Sequence, residues 1–189
     1  MISFSRRNLA RNAAEAAYSR VVEQARLPVF FTDYGVPDTL DGRFELICLH
    51  AFLYLHRLKS ERPRASRLCQ SFFDRMFADF DRSLREMGIG DLSIGKHVKR
   101  MAKAFYGRIL AYEIGLAGDD WALGEALARN VFGAVSGATP GSAAMSAYVR
   151  STVSRLRSQP IAELIAGRVF FALPPRRPAK LLESPSRSS

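Results

Sequence analysis

The feature that most constrains the fold is a repeat of large apolar side chains at every fourth position between residues 64 and 87. Its members are Leu68, Phe72, Met76, Phe80 and Leu84, with Phe73 and Phe77 beside them. Residues four apart lie on one face of an α-helix, because the helix turns once in 3.6 residues. The spacing therefore predicts a long helix whose apolar face is buried against neighbours.

Similar spacing recurs along most of the chain, whereas a strand-like alternation is confined to residues 28–31. We predict helices over residues 5–26, 40–59, 64–87, 96–117, 120–135, 142–158 and 160–172. Asp38 or Thr39 is the expected N-cap of the second helix and Asp119 that of the fifth. Residues 40–59 are apolar almost all round, which is typical of a central helix. The predicted fold class is all-α, a single compact domain of about six to seven helices.

The chain of 189 residues is long enough to bury a core of its own. We place the helical domain at residues 1–173 and expect a mobile, basic tail at 174–189, where Pro, Arg and Ser dominate. No apolar stretch is long enough to span a bilayer, and no apolar segment follows the early arginines as in a secretory signal. We therefore expect a cytoplasmic protein, with peripheral contact at the inner membrane left open.

The charge balance favours anionic partners. The sequence has 28 Lys and Arg against 18 Asp and Glu, a net charge of +10, which attracts nucleic acid, ribosomes or membrane headgroups. Lys96, Lys99, Arg100 and Lys103 recur at helical spacing. They form either a solvated face or a docking strip for an anionic surface. Aromatic residues do not interleave with them, which argues against a stacking platform for single-stranded nucleic acid.

No motif predicts catalysis. Gly90–Lys96 matches the G-x-x-x-x-G-K part of a phosphate-binding loop, but a helix precedes it, and His97 stands where that loop needs Ser or Thr. We interpret it as a turn between helices. The acidic residues of the Phe-rich helix indicate a solvated face, on which Asp81 and Arg85 form an i,i+4 pair. We predict that the protein is not an enzyme.

No motif predicts a metal or a cofactor either. The three histidines are scattered, and none stands in a zinc-binding pattern with a cysteine or an acidic residue. His50 lies one helical turn from Leu46, which is typical of a hydrogen-bonded core histidine. We expect no bound metal and no cofactor.

The Phe-rich helix has two interpretations. Its wide apolar face is either core or one wall of a groove that receives an apolar helix of a partner. The candidate partner-binding residues are Phe72, Phe73, Met76, Phe77 and Phe80. Their expected polar rim consists of Asp74, Asp81 and Arg85.

Several ordered strings of the sequence resemble the ubiquinol–cytochrome c chaperone family. They are GVPDTLDGRFEL at 35–46, LHAF at 49–52, FDRMFADFD at 73–81, LREMGIGD at 84–91, AFYGR at 104–108 and LARN at 127–130. The resemblance covers about residues 28–135. It implies an α-helical, non-enzymatic assembly factor that binds newly made cytochrome b and supports assembly of the ubiquinol–cytochrome c reductase (bc1) complex.

The resemblance also implies partners. Mitochondrial members are associated with a small partner protein and with the ribosome, so the candidate partners are cytochrome b, a small helical co-chaperone, the ribosome and an anionic membrane, but not DNA. We expect a monomer. The sequence lacks the long N-terminal extension of mitochondrial members, so a bacterial member is expected. The alternative from another class is a basic ribosome- or RNA-associated protein, or a peripheral protein of anionic membranes, without a specific client.

Overall fold

The computed structural model describes residues 2–134, 137 and 139–176, and these form eight α-helices without a strand. The helices are α1 (Ile2–Ala25), α2 (Val29–Thr32), α3 (Leu40–Leu58), α4 (Ser66–Glu86), α5 (Asp91–Ala117), α6 (Asp120–Val131), α7 (Pro140–Ser158) and α8 (Ile161–Ile165). A 3-10 turn, Lys59–Glu61, follows α3. The predicted all-α class is confirmed.

Helix α3 lies at the centre and packs against α1, α5, α6 and α7. Its apolar circumference is buried as the sequence predicts, with Leu49 and Phe52 at most 1% exposed. The Tyr54 hydroxyl donates to the Leu164 carbonyl at 2.9 Å, which ties α8 to the centre. Helix α4 packs mainly on α1 and α5.

The helix starts follow local chemistry. Thr39 caps α3 by accepting from the Gly42 N–H at 3.1 Å, and Asp119 caps α6 by accepting from the Ala122 N–H at 2.9 Å. Both caps lie where the sequence places them. Thr139 opens α7 in a reciprocal capping box with Ser142, which satisfies backbone donors that the helix leaves free.

Several of the sequence-based predictions are wrong, including the end of α6, which lies at Val131 rather than at 135. Helix α5 begins at Asp91 rather than at 96, because Gly95 is accommodated inside the helix and an acidic first turn favours the N-terminus. Residues 28–31 contribute to a short helix, α2. The last segment is helical only over Ile161–Ile165, after which residues 168–176 run without helix.

Glycine ends α4. Gly88 has a φ of +81°, and its N–H donates to the Arg85 carbonyl while that of Ile89 donates to the Leu84 carbonyl. This pair of bonds is the Schellman closure, which needs a left-handed residue at that point. The Gly90–Lys96 segment is the start of α5, with Gly90 at the N-cap, so its interpretation as a turn between helices is wrong from Asp91 on.

The expected tail falls mostly outside the described residues, which end at 176. Within them, the Pro175 carbonyl accepts a hydrogen bond from the Tyr34 hydroxyl at 3.2 Å. The division into residues 1–173 and 174–189 stays a prediction. No helix in the described part of the chain is long and apolar enough to cross a bilayer.

Candidate functional site

The described residues form a cleft of about 820 Å³. Five segments form it: the end of α1, the loop into α3 with its first turns, the last turns of α4, the first half of α5, and the end of α6. Its apolar lining consists chiefly of Leu40, Phe44, Ile47, Phe80, Leu84, Met87, Met101, Val131 and Phe132. A cavity of this size and lining suits an apolar ligand segment.

The loop that precedes α3 packs tightly against the first turn of that helix. A Cβ at Gly42 would lie 2.0 Å from the Pro37 carbonyl oxygen, so only glycine lets the preceding loop fold down onto the first turn. The Thr39 cap fixes the same loop. Leu40, the first residue of α3, lines the cleft and is 68% exposed.

A partly buried ion pair lies in the wall of the cleft. Arg108 donates from two nitrogens to the two carboxylate oxygens of Glu45, and its guanidinium lies 5.6 Å from the Phe44 ring centroid. Burial raises the pKa of Glu45, and the hydrogen bonds and positive charge of Arg108 oppose that rise. The bidentate geometry keeps both groups satisfied in an apolar setting.

The remaining lining is basic. Five arginines and three acidic residues line the cleft. Arg43 pairs with Asp38 at 2.7 Å, but Arg26 and Arg100 form no ion pair with another residue that the structure describes. The Arg100 guanidinium lies 2.8 Å from His97 Nδ1. The cleft therefore combines an apolar interior with positive charge.

Asp79 joins the cleft to α1. Its carboxylate accepts from the Tyr18 hydroxyl at 2.9 Å and from Arg75 at 3.3 Å, and Arg75 also pairs with Glu15. Partial burial would raise the pKa of Asp79, but the hydrogen bonds from Tyr18 and Arg75 outweigh it and hold that pKa below its ordinary value. This network anchors the cleft wall formed by α4.

The apolar residues of α4 that are predicted to bind a partner differ in how deeply the structure buries them. Phe72 and Met76 are fully buried in the core, Phe80 is 5% exposed and Phe77 is 8% exposed. Phe80 lines the cleft and packs on Phe44 with ring centroids 5.0 Å apart. Phe73 is half-buried. The interpretation as an open groove wall along the whole helix is therefore corrected: Phe72 and Met76 are interior residues, because α1, α3 and α5 surround α4.

The predicted polar rim lies on the exposed face of α4, outside the cleft lining. Asp74 accepts from Gln70 at 2.7 Å. Arg85 pairs with Asp81 at 2.7 Å, as the i,i+4 spacing predicts, and also with Asp91. A role of these residues in partner binding stays a prediction.

The predicted basic strip divides in two. Lys96, Lys99 and Lys103 are exposed on the outer side of α5, whereas Arg100 lines the cleft. Docking of an anionic surface on them stays a prediction. Sequence reasoning missed the contributions of Leu40, Phe44 and Met87, since nothing in their local pattern shows that separate helices converge on one cleft.

The structure is thus an all-α fold with an apolar, basic-lined cleft. The family described as Ubiquinol-cytochrome C chaperone matches residues 32–171. The protein belongs to that family.

Two named proteins are similar to this chain in sequence. The mouse ubiquinol-cytochrome c reductase complex assembly factor 1 is 32% identical over 120 residues, which cover 64% of this chain and 41% of that protein. The mitochondrial protein CBP3 of Saccharomyces cerevisiae is 31% identical over 107 residues, covering 55% and 32%. The chain thus spans less than half the length of these two relatives.

A solved structure also matches. The crystal structure of the Cbp3 homolog from Brucella abortus is 38% identical, with a TM-score of 0.78, and the match covers 91% of this chain and 97% of that one. That protein comes from a bacterium.

Proposed function

We propose that the protein is a non-enzymatic assembly chaperone of ubiquinol–cytochrome c reductase that binds a segment of newly made cytochrome b in the cleft. The observation that carries the proposal is the cleft itself, an open apolar cavity with a basic lining in a member of an assembly-chaperone family. A segment destined for a membrane must keep its apolar side chains from water before insertion, and this cleft offers such cover.

The composition of the lining supports a peptide occupant. Met87 and Met101 are flexible and polarisable, so they adapt to different apolar side chains. Arg26 and Arg100 supply charge for acidic groups flanking the segment, which fixes orientation more than affinity. Of the residues predicted from α4, Phe80 would contact the client directly, whereas Phe72, Met76 and Phe77 would support the wall from the core.

Further contacts belong to the same proposal. Phe73, Asp74, Asp81 and Arg85 lie on the partly exposed face of α4 and would form a secondary contact with the client or with a small helical co-chaperone. Ribosome association would bring the protein to a nascent client, and its net positive charge favours that encounter. We propose a monomer as the working unit.

The test is capture of cytochrome b by chemical crosslinking during its cell-free synthesis. Leu40→Glu with Met87→Glu alters two cleft-lining side chains that are 68% and 49% exposed, so the fold should survive. Covering each apolar side chain contributes roughly 1.5–3 kcal/mol. Capture should therefore fall at least tenfold, while circular dichroism stays unchanged.

The matched control is Leu9→Glu with Leu173→Glu, two exposed apolar residues outside the cleft lining. It should capture the client like the wild type. Wild-type capture by the cleft variant would contradict the placement in the cleft. Loss of capture in Arg85→Ala instead would move the client to the exposed face of α4.

A further inference from the structure

Helix α5 carries an unusual outer face, which runs along the side of the helix directed to solvent. It consists of Lys96, Lys99, Lys103, Tyr106, Leu110 and Ile114. Their spacing of three or four residues puts them on one side of the helix, so the first half of this face is basic and the second half is apolar. Tyr106, Leu110 and Ile114 are 59%, 63% and 61% exposed.

This apolar half is not explained by the core. Phe105, Ile109 and Tyr112 form the inward face of the same helix and pack in the interior. Three large apolar side chains in consecutive turns leave a continuous exposed stripe, which is a feature of interaction surfaces. Leu92, 98% exposed, adds a further apolar side chain in the first turn of α5.

All charged residues of the outer face are positive. Within the described residues, none of the three lysines forms an ion pair, and the acidic residues of α5 are engaged elsewhere. Asp91 pairs with Arg85, and Glu113 lies 3.0 Å from His56 and 3.3 Å from Lys59. Positive charge next to exposed apolar side chains complements a surface that is negative outside and apolar beneath.

We propose that the outer face of α5 docks the protein on an anionic lipid surface. Lysines reach phosphate headgroups from a distance, while Tyr106, Leu110 and Ile114 enter the boundary between headgroups and acyl chains. The three lysines and three apolar residues follow one continuous helix, α5, of roughly 1.5 Å rise per residue, so they can meet one surface together. This inference rests on α5 alone and needs no client.

The chemistry favours lipid over nucleic acid. RNA binding of this kind relies on arginine and on aromatic faces that are free to stack. The outer face offers a base only one aromatic ring, Tyr106, and one side of that ring stacks on Phe73 with centroids 5.6 Å apart and 29° between their planes. The cationic residues of the outer face are all lysines, which act as point charges.

The test is flotation of the purified full chain with phosphatidylcholine vesicles, with and without one third phosphatidylglycerol. We expect binding to the anionic vesicles that weakens with salt. Lys99→Glu with Lys103→Glu should lower the partition coefficient at least tenfold, which corresponds to about 1.4 kcal/mol. Leu110→Ser with Ile114→Ser should lower it by a similar factor.

The matched control variants carry substitutions of the same kind outside the outer face of α5. Arg64→Glu with Arg67→Glu alters net charge equally on an exposed stretch around the start of α4, and Leu9→Ser with Leu173→Ser removes two exposed apolar residues. Both should keep partitioning within about threefold of the wild type, about 0.7 kcal/mol. Equal losses in controls and outer-face variants would overturn the proposal. Binding of RNA without vesicle binding, or a dimer that dissociates on Leu110→Ser, would also overturn it.

Discussion

His50 is a fully buried histidine whose two ring nitrogens both have hydrogen-bond partners. Nδ1 lies 2.7 Å from the Leu46 carbonyl oxygen, so that nitrogen carries the proton. Nε2 then accepts from the Tyr148 hydroxyl at 2.9 Å. A buried polar group requires such partners. The position of His50 one turn after Leu46 predicts a hydrogen-bonded core histidine, and these contacts confirm that prediction.

Burial lowers the pKa of His50 to about 4, against 6.5 for an ordinary histidine. The unfolded chain therefore binds a proton between these values while the folded protein does not, so stability present above pH 6.5 is lost as pH falls towards 4. Between pH 7.5 and pH 5 we expect this residue to reduce the free energy of unfolding by about 2 kcal/mol. Urea unfolding at the two pH values measures the change.

The control for this prediction is His50→Gln, which does not titrate. The variant should be less stable than the wild type at pH 7.5, and its loss between pH 7.5 and pH 5 should be smaller by that same amount. Equal pH dependence in both proteins would show that another group controls the transition.

At the scale of secondary-structure elements, α4 shows what the sequence can predict and what it cannot. Its apolar spacing predicts the helix and its buried face correctly. The width of that face does not show how many neighbours cover it. Phe72 contacts Tyr18 of α1 and Tyr54 of α3, and Phe77 contacts Phe105 of α5. A residue's local pattern carries no record of such distant partners, so core and groove look alike in sequence.

The close crossing of α5 and α6 depends on Gly115, since glycine has no side chain. A Cβ at Gly115 would lie 2.8 Å from the Leu123 Cα, which is closer than such atoms approach. Gly115→Ala should therefore force the helices apart and cost about 1–3 kcal/mol of stability despite alanine's better helix propensity. Chemical denaturation followed by circular dichroism measures the change.

Gly107 provides the matched control on the same helix. It is exposed, and a Cβ there would meet nothing within 4 Å. Gly107→Ala should increase stability by up to about 1 kcal/mol, since glycine is a poor helix former. A Gly115→Ala variant as stable as Gly107→Ala would mean that α5 and α6 do not cross so closely.

At the scale of the whole molecule, the ordered strings place the chain in its family, and the helical spacing predicts the all-α class. The cleft, in contrast, could not be predicted from the sequence. Its apolar lining comes from segments far apart in sequence, with Leu40 and Phe44 in α3, Met101 in α5 and Phe132 after α6, and each has an ordinary local pattern. Only the packing of helices brings them together. The spacing of the lysines predicts the basic half of the outer face of α5, whereas its apolar half is recognised only once the inward face of that helix is known.

Helix α5 connects the two proposed surfaces. Met101, Ala104 and Arg108 line the cleft, whereas Lys99, Lys103 and Leu110 lie about half a turn away on the outer face. A protein resting on lipid through the outer face would therefore keep the cleft uncovered. This arrangement suits a chaperone that holds a segment beside the membrane it will enter.

The two surfaces should act independently, because the effects of distant substitutions without shared partners add. Leu40→Glu with Met87→Glu should reduce capture of cytochrome b and leave vesicle binding unchanged. Lys99→Glu with Lys103→Glu should do the reverse. In the combined variant, each free-energy change should equal that of its own pair within about 0.5 kcal/mol. Vesicle flotation of the purified protein, alone and crosslinked to its client, measures both properties together. Weaker flotation of the client complex would mean that client and lipid compete for one surface, and the division of α5 into two working faces would then be wrong.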